Sequence, residues 1–253
     1  MCVVALAWNA HPRWRLLLAG NRDEFHARPS AALAPWPGTG LIAGRDLQSG
    51  GTWVGLDRHG RVAVVTNVRD GIPQPHDGPS RGALPVSFLD GAADAASMTS
   101  ELHANADRYA PFNLLLADAD GCWHLGNHPR QREALDAGVH GISNGRLDAP
   151  WPKTLHLRDA LHAWIDAGDE DLQMLWNALA DEGIAADAAL PDTGVGLELE
   201  RRLSPAFVRG DRYGTRASTI IMVDRHGRGF IVERRFGPEG VYAGETVLRN
   251  EVR

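Results

Sequence analysis

The sequence predicts an α+β protein, because antiparallel hairpins come first, helices gather in the middle and a hairpin returns near the end. Strands and helices do not alternate one by one, as they do in Rossmann folds and TIM barrels. The 253 residues are 43% hydrophobic and 23% charged, which is typical of a globular protein that buries a core without disulfides. The chain contains no internal repeat and no linker-like stretch, so residues 1–253 are predicted to form a single domain.

Four pairs of apolar runs predict the hairpins. Their members are rich in Val, Ile, Leu and Ala, and the two members of each pair are separated by a short segment rich in turn-forming residues. The predicted pairs are Cys2–Trp8 with Arg15–Ala19, Thr52–Leu56 with Arg61–Asn67, Phe112–Ala117 with Cys122–Leu125, and Thr219–Asp224 with Gly229–Arg235.

Four segments between these hairpins predict helices. Leu157, Leu161 and Trp164, for example, recur at the spacing of one helix face. The predicted helices are Ala83–Leu89, Ala93–Ala106, Lys153–Ile165 and Asp169–Asp181. The Pro- and Gly-rich segments Pro35–Gly40 and Gly71–Pro79 are predicted loops.

Charge and hydropathy exclude several classes of partner. A formal charge of −6 and a pI near 6.0 argue against nucleic-acid binding, which needs a basic face. No segment approaches the roughly 18 consecutive apolar residues of a membrane-spanning helix, and the apolar start is too short for a signal peptide. Two cysteines are too few for a disulfide scaffold. We therefore expect a cytoplasmic protein without stable membrane insertion, in an oligomeric state that the sequence leaves open.

The chain has 26 basic residues, and Lys153 is the only lysine among them. Schiff-base and P-loop mechanisms depend on a lysine, and Lys153 follows Pro152 with no Gly-rich loop before it. Such mechanisms are therefore not predicted, and the base of any reaction has to be another group.

Cys2 has a position that favours nucleophilic chemistry. Removal of Met1 would leave the thiol on the same residue as a free α-amino group, whose ordinary pKa is near 8. A terminal amine can act as general base for its own side-chain nucleophile, as it does for N-terminal threonine. The alternative interpretation is a small cysteine packed on the first strand.

Four polar residues in a row, Asn21-Arg22-Asp23-Glu24, end the second predicted strand. That strand runs back beside the first one, so its far end returns towards Cys2. An aspartate there could hold an α-ammonium group, and an arginine could favour a thiolate.

These residues and several further blocks resemble the NRDE family, also called transport and Golgi organisation protein 2. The blocks follow one another in the family's order over almost the whole chain. They are Asn21-Arg22-Asp23-Glu24, Gly50-Gly51-Thr52-Trp53-Val54-Gly55, Thr66-Asn67-Val68-Arg69, Ser80-Arg81-Gly82, Ser143-Asn144-Gly145, Leu147-Asp148-Ala149-Pro150-Trp151-Pro152-Lys153 and Tyr213-Gly214-Thr215-Arg216-Ala217-Ser218-Thr219.

The resemblance extends to the N-terminal nucleophile hydrolases and implies a four-layer αββα sandwich. It implies that Cys2 attacks the carbonyl of a non-peptide amide through a thioester and that its own amine is the general base. It assigns Asp23 to that amine, and Asn67 and Asn144 to the oxyanion, where a side-chain donor contributes about 3 kcal/mol. No metal or cofactor is implied, and the expected partner is a small amide or acyl compound.

The same resemblance assigns further residues to substrate binding or charge orientation: Asn21, Arg22, Glu24 and Arg216. The hydrolase branch has an arginine three residues before the aspartate, where this chain has Gly20. Arg216 is a candidate for supplying that charge. Strand alternation predicts that Arg22 and Asp23 point to opposite sides.

Three other functions are compatible with parts of the sequence. Gly141-Ile142-Ser143-Asn144-Gly145 matches the G-x-S-x-G pattern of serine hydrolases, although Pro150 and Pro152 postpone the next helix. Cys122, His124 and His128 have a spacing that occurs in zinc sites but lack a fourth ligand. The family resemblance also implies a non-catalytic alternative, the handling or trafficking of lipid, acyl-CoA or haem.

Overall fold

Antiparallel pairing joins the strands of the described residues into two sheets. The computed structural model describes residues 2–72, 76–168 and 170–250. In these ranges the strands are β1 (Cys2–Trp8), β2 (Trp14–Phe25), β3 (Ser30–Pro35), β4 (Leu41–Asp46), β5 (Val54–Asp57), β6 (Val62–Asn67), β7 (Phe112–Ala117), β8 (Cys122–Asn127), β9 (Arg130–Ala134), β10 (Gly138–Ile142), β11 (Tyr213–Asp224), β12 (Gly229–Phe236) and β13 (Tyr242–Arg249). The helices in the same ranges are α1 (Ala83–Asp90), α2 (Ala95–Asn105), α3 (Pro152–Ala167), α4 (Gln173–Leu179) and α5 (Leu197–Arg202).

The two sheets differ in how the chain passes through them. The first sheet has the strand order β10-β1-β2-β11-β12-β13, and the second has the order β3-β4-β5-β6-β7-β8-β9. The second sheet is a simple meander. In the first sheet the chain leaves after β2 and returns as β10 at one edge and as β11 beside β2. β1 therefore lies inside the sheet, with β10 and β2 paired on its two sides.

Side-chain alternation explains the four layers. Val4 and Leu6 lie in the core between the two sheets, whereas Val3 and Ala5 lie under α3 and α4 with Trp164. Helices α1 and α2 cover the outer face of the second sheet. The order of layers is helix, sheet, sheet, helix. Because β1 is buried on both faces, its sequence is a continuous apolar run.

All four predicted hairpins are present, but two of their strands run further than predicted. β2 continues through the polar block to Phe25, and β11 begins at Tyr213. In this extension polar side chains bond across the two strands: Ser218 Oγ donates to Asn21 Oδ1 at 2.6 Å and Thr215 Oγ1 donates to Asp23 Oδ1 at 2.7 Å. The predicted strand ends were therefore wrong, because partner side chains rather than apolar alternation hold this part of the sheet.

Three of the four predicted helices, now α1, α2 and α3, begin and end within two residues of their predicted bounds. Asp94 caps α2 by accepting a hydrogen bond from the Ser97 amide at 2.7 Å, so the helix starts one residue after it. The predicted helix Asp169–Asp181 is shortened to α4, and its first residue lies outside the described residues. The predicted loop Gly71–Pro79 likewise includes residues 73–75, which lie outside them. None of the described helices has both the length and the apolar character needed to cross a membrane.

Candidate active site

The register of β1 and β2 places Asp23 next to Cys2. Cys2 pairs with Arg22, and Asp23 is the next residue along β2. Alternation then directs Arg22 towards the space between the sheets and Asp23 towards the helices that cover the first sheet. The side chains of Arg22 and Asp23 therefore point to opposite faces of the sheet, as predicted.

A bulge on the other side of β2 turns Arg216 inward. Thr215 pairs with Asp23 and Ala217 with Arg22, so Arg216 is an extra residue in β11 without its own partner on β2. Such a bulge interrupts the alternation of side chains. Thr215 can therefore bond to Asp23 on the helix side while Arg216 lines the cleft between the sheets.

That cleft has a volume of about 210 Å³ and lies between the sheets at the Cys2 end. Of the predicted site residues, it is lined by Cys2, Arg22, Asp23, Glu24, Asn67 and Arg216. Further polar contributions come from Thr52, Thr66, Ser80 and Arg81. The structure thus brings most of the predicted set to one cavity.

Cys2 is buried, with 6% of its surface exposed. Burial raises the pKa of its thiol, and the nearby negative charge of Asp23 raises it further. The thiol therefore carries its proton at neutral pH and needs a base to become a nucleophile. The Cys2 carbonyl oxygen accepts a hydrogen bond from Ser143 Oγ at 2.8 Å, which fixes the main chain at the nucleophile.

Asp23 is more deeply buried, with 1% of its surface exposed. Thr215 Oγ1 donates to its Oδ1 at 2.7 Å, and the Tyr213 hydroxyl donates to its carbonyl oxygen at 3.2 Å. Burial raises the pKa of the Asp23 carboxyl, while the charge of Lys153 and the bond from Thr215 oppose that rise. The carboxyl group is thus positioned to hold a cation beside Cys2.

Asn67 presents a free donor to the cleft. Asn144 Nδ2 donates to the Asn67 carbonyl oxygen at 2.9 Å and to its side-chain oxygen at 3.2 Å. These bonds fix the orientation of the Asn67 amide, whose own nitrogen donates to no described residue. Both hydrogens of the Asn144 amide are used for this purpose. Asn67 therefore faces the cleft, and the two hydrogen bonds from Asn144 fix its orientation.

Three further hydrogen bonds connect β6, the loop after it and β7 to the loop after β10, and so join the two sheets. Thr66 Oγ1 donates to the Ser143 carbonyl at 2.7 Å, the Arg69 amide to the Asn144 carbonyl at 2.7 Å, and Asn113 Nδ2 to the Gly145 carbonyl at 2.8 Å. The side-chain amide of Asn67 and the thiol of Cys2 therefore belong to different sheets, and these hydrogen bonds hold the two sheets together at the site.

The remaining predicted residues divide into two groups. Arg22 and Glu24 line the cleft and lie 3.4 Å apart between Nη2 and Oε2. Asn21 is fully buried on the other face, where its amide donates to the carbonyls of Leu179 and Ala206 at 2.8 Å each. Asn21 therefore anchors the strand to the helical layer, away from the cleft.

Lys153, which the sequence analysis set aside, lies buried near the site. It is 4% exposed, and its Nζ has no hydrogen-bond partner among the described residues. Burial lowers the pKa of its ammonium group, and the negative charge of Asp23 is the strongest opposing influence. The sequence signal that could have identified it is its place in the first turn of a predicted helix, where the helix dipole disfavours a cation.

Gly20 explains why the hydrolase-branch arginine is missing from β2. A Cβ atom there would lie 2.8 Å from the Val3 carbonyl oxygen and 2.9 Å from Val4 Cγ2, so no side chain fits. Among charged side chains, Lys153 is the one that most favours the ionised Asp23. Arg216 lies on the opposite face of the sheet and contacts backbone carbonyls instead.

The structure contradicts the two alternative site predictions. Ser143 is followed by a loop, and α3 begins only at Pro152, so the strand–turn–helix of a serine-hydrolase elbow is missing. His124 bonds to Asn113 and Glu133, whereas His128 bonds to Asp70. In the described part of the chain, no three potential ligands converge as a metal site.

Comparison with known proteins gives the family. A model of the Transport and Golgi organisation 2 family matches residues 1–238. The chain belongs to this family. Within it, the chain is 30% identical over 269 residues to the human Transport and Golgi organization protein 2 homolog, covering 97% of each chain. The homolog from Bos taurus is 30% identical over 262 residues, with 92% of each chain covered.

A solved structure supports the fold. The Caenorhabditis elegans N-acylethanolamine-hydrolyzing acid amidase ortholog is 10% identical and aligns with a TM-score of 0.50, covering 80% of this chain and 98% of that one. The likeness concerns the fold alone. It confirms the predicted α+β sandwich for this member of the Transport and Golgi organisation 2 family.

Proposed function

We propose that the protein is an N-terminal cysteine hydrolase that cleaves the C–N bond of a small acyl amide through a thioester. The observation that carries this proposal is the register of β1 and β2, which puts Asp23 one residue beyond the Cys2–Arg22 pair. Asn67 adds a free donor on the same cleft. The amidase activity named for the nematode protein is an analogy at the level of the fold and supports the reaction class only.

The reaction requires a free α-amino group on Cys2, and therefore cleavage of the Met1–Cys2 bond. That amine takes the thiol proton, and the thiolate attacks the amide carbon of the substrate. Asn67 Nδ2 donates to the resulting oxyanion, which is worth about 3 kcal/mol in a site shielded from water. The ammonium then protonates the leaving nitrogen, and the amine product departs from the thioester.

Water completes the cycle by attacking the thioester carbon. The α-amino group takes a proton from this water and returns it to the thiolate as the acid product leaves. Asp23 holds the amine in both half-reactions, since its carboxylate stabilises the ammonium that forms each time. Burial keeps the Cys2 thiol protonated, so the thiolate forms only when the α-amino group accepts the proton. Turnover therefore requires this base.

The second candidate is a non-catalytic protein that binds a lipid, acyl-CoA or haem. The low exposure of the Cys2 thiol favours it, since a carrier needs no accessible nucleophile. The two functions differ in whether Met1 must be removed, because a carrier binds its ligand with Met1 in place.

Intact-mass spectrometry followed by labelling with a thiol-reactive acyl-amide probe tests the proposal. We expect a mass lower by one methionine residue and a single adduct on Cys2. Cys122 is the internal control, because burial raises its thiol pKa and it lies away from the cleft. A protein that keeps Met1 and forms no Cys2 adduct would contradict the hydrolase and favour the carrier.

A further inference from the structure

The cleft around Cys2 is unusually rich in arginine for a chain whose net charge is −6. Among the described residues, its lining contains Arg22, Arg28, Arg45, Arg81, Arg216 and Arg235, against Asp23, Glu24, Asp46 and Glu233. The cleft is therefore a positive cavity in an acidic protein, and such a cavity concentrates anions.

The acidic groups of the lining already have partners. Arg28 Nε donates to Asp46 Oδ2 at 2.7 Å, and Arg22 lies 3.4 Å from Glu24. Glu233 accepts a hydrogen bond from the Leu33 amide at 2.9 Å. The carboxyl group of Asp23, as described above, is directed to the helix side of the sheet. These groups do not neutralise the other arginines.

Among the described residues, Arg45, Arg81 and Arg216 are left without a carboxylate, and of these three Arg45 is exposed whereas Arg81 and Arg216 are half-buried. Arg81 Nη1 donates to the Pro111 carbonyl at 2.8 Å, and within the described ranges its guanidinium makes no ion pair. Arg216 donates to the carbonyls of Phe25 and Arg28, and its buried Nε has no partner among the described side chains and main-chain atoms. Both guanidinium groups are half-buried, and withdrawing a cation from water without a counter-charge costs free energy that a bound anion offsets.

These two arginines come from opposite walls. Arg81 precedes α1, which covers the second sheet, and Arg216 is the bulged residue of β11 in the first sheet. Both line the cavity that contains Cys2. An anionic group between them would therefore lie close to the thiol, and the planar forks of two guanidinium groups suit carboxylate and phosphate oxygens.

We propose that the cleft selects acyl amides that carry an anionic group, a carboxylate or a phosphate, on the amine half, and that Arg81 and Arg216 bind this group. The proposal rests on the proposed hydrolase function and names its substrate class. It accounts for two half-buried cations that the reaction at Cys2 does not itself use.

Three probes with the same octanoyl chain and the same amide test the proposal: N-octanoylethanolamine, N-octanoylglycine and N-octanoylphosphoethanolamine. Binding to the Cys2→Ser variant is measured first, by calorimetry, so that turnover is not needed for the result. We expect one or both anionic probes to bind about 10-fold to 100-fold more tightly than the neutral one, as charge-assisted hydrogen bonds do. Which of the two anions binds more tightly distinguishes carboxylate from phosphate recognition.

Variants then identify the residues responsible. Arg81→Gln and Arg216→Gln are expected to bring the three affinities together. Arg225→Gln is the matched control, because Arg225 also donates to backbone carbonyls, of Pro12 and His11, but lies outside the cleft. In the Cys2→Ser protein, raising the salt concentration should weaken anionic probes only, which provides a result even if an arginine variant fails to fold.

Equal affinity for all three probes, or no binding of any, would overturn the proposal, as would a preference that survives both cleft variants. Turnover by the protein with Cys2 intact is measured separately. Preferential anion binding without hydrolysis would support the anionic ligand class and contradict the hydrolase, so the two failures are distinguishable.

Discussion

Asn144 donates both hydrogens of its side-chain amide to Asn67, at 2.9 Å to the carbonyl oxygen and 3.2 Å to Oδ1. Asn67 ends β6 in the second sheet, and Asn144 follows β10 in the first. The two asparagines thus form a pair across the two sheets. One of them faces the cleft, and the other determines which way it points.

This relationship predicts non-additive losses of turnover. Asn67→Ala removes the donor and should lower kcat about 10²-fold to 10³-fold. Asn144→Ala should lower kcat by less and also lower the free energy of unfolding by about 1–3 kcal/mol, since it breaks buried hydrogen bonds. The double variant should have the kcat of Asn67→Ala, because Asn144 acts through Asn67. Losses that multiply in the double variant would show that Asn144 reaches the oxyanion itself.

Asp23→Asn should separate activity from stability. It removes the charge that holds the Cys2 amine, so turnover should fall below detection. Because the folded state raises the pKa of Asp23, the folded protein binds more protons than the unfolded chain just above pH 3.8, and stability falls as pH rises through this window. The variant lacks this fall. In urea unfolding from pH 4 to pH 8, the free energy of unfolding of the variant should therefore increase relative to that of the wild type as pH increases.

Asp187→Asn is the control for the direction of this pH dependence of stability. Arg201 holds the pKa of Asp187 below its ordinary value, so Asp187 contributes stability that is present at neutral pH and lost in acid. In a series extended below pH 4, the free energy of unfolding of the Asp187 variant should fall relative to that of the wild type as pH rises to 3.8. The difference should then stay constant up to pH 8, and turnover should be unchanged. Equal pH dependence in the two variants would contradict the assignment of a raised pKa to Asp23.

Lys153→Met should stabilise the protein at pH 7, by about 1–3 kcal/mol if the unpartnered Nζ carries the usual cost of an unsatisfied buried group. The folded state lowers the pKa of this lysine, so the unfolded chain binds the proton more strongly and the wild type gains stability as pH rises towards 10.5. The advantage of the variant should therefore shrink between pH 7 and pH 10 in urea unfolding.

Lys153→Arg provides the matched comparison, because arginine keeps its proton over this range. The free energy of unfolding of this variant should be lower than that of the wild type. The difference should grow as pH rises, because the buried wild-type lysine then loses its proton and the cost of burying its charge disappears. An advantage of Lys153→Met that does not change with pH would show that the folded and unfolded chains bind the same number of protons, and would contradict a lowered pKa of Lys153.

Ser143→Ala tests the discarded serine nucleophile. The loss of the bond from Ser143 Oγ to the Cys2 carbonyl should cost about 1 kcal/mol of stability, while turnover stays within a few-fold of the wild type. Cys2→Ala should abolish turnover. The reverse pattern, with Ser143→Ala inactive and Cys2→Ala active, would restore the serine interpretation.

The sequence predicted what depends on local pattern. Apolar runs located β1 and the hairpin partners, and the order of the family's blocks located Cys2, Asp23 and Asn67. It did not predict how far β2 and β11 run, since those ends are held by bonds such as that from Thr215 to Asp23. These bonds depend on which strands become neighbours, and β2 and β11 are separated by most of the chain.

Two features of the site also escaped prediction for tertiary reasons. The inward direction of Arg216 depends on a bulge, which only the pairing of Thr215 with Asp23 and Ala217 with Arg22 reveals. The burial of Lys153 depends on how α3 packs over β1 and β10. Asn21 differs in the opposite way. It was expected to bind substrate or orient charge, but it holds β2 to the helical layer.

The burial of Lys153 also makes amine chemistry selective on this protein. An amine-acylating reagent has one lysine to modify, and in the native fold that lysine is enclosed. Acylation under native conditions therefore reports on the α-amino group alone, and its rate measures how open the amino terminus is. Peptide sequencing of the product then shows whether Met1 or Cys2 carries the label.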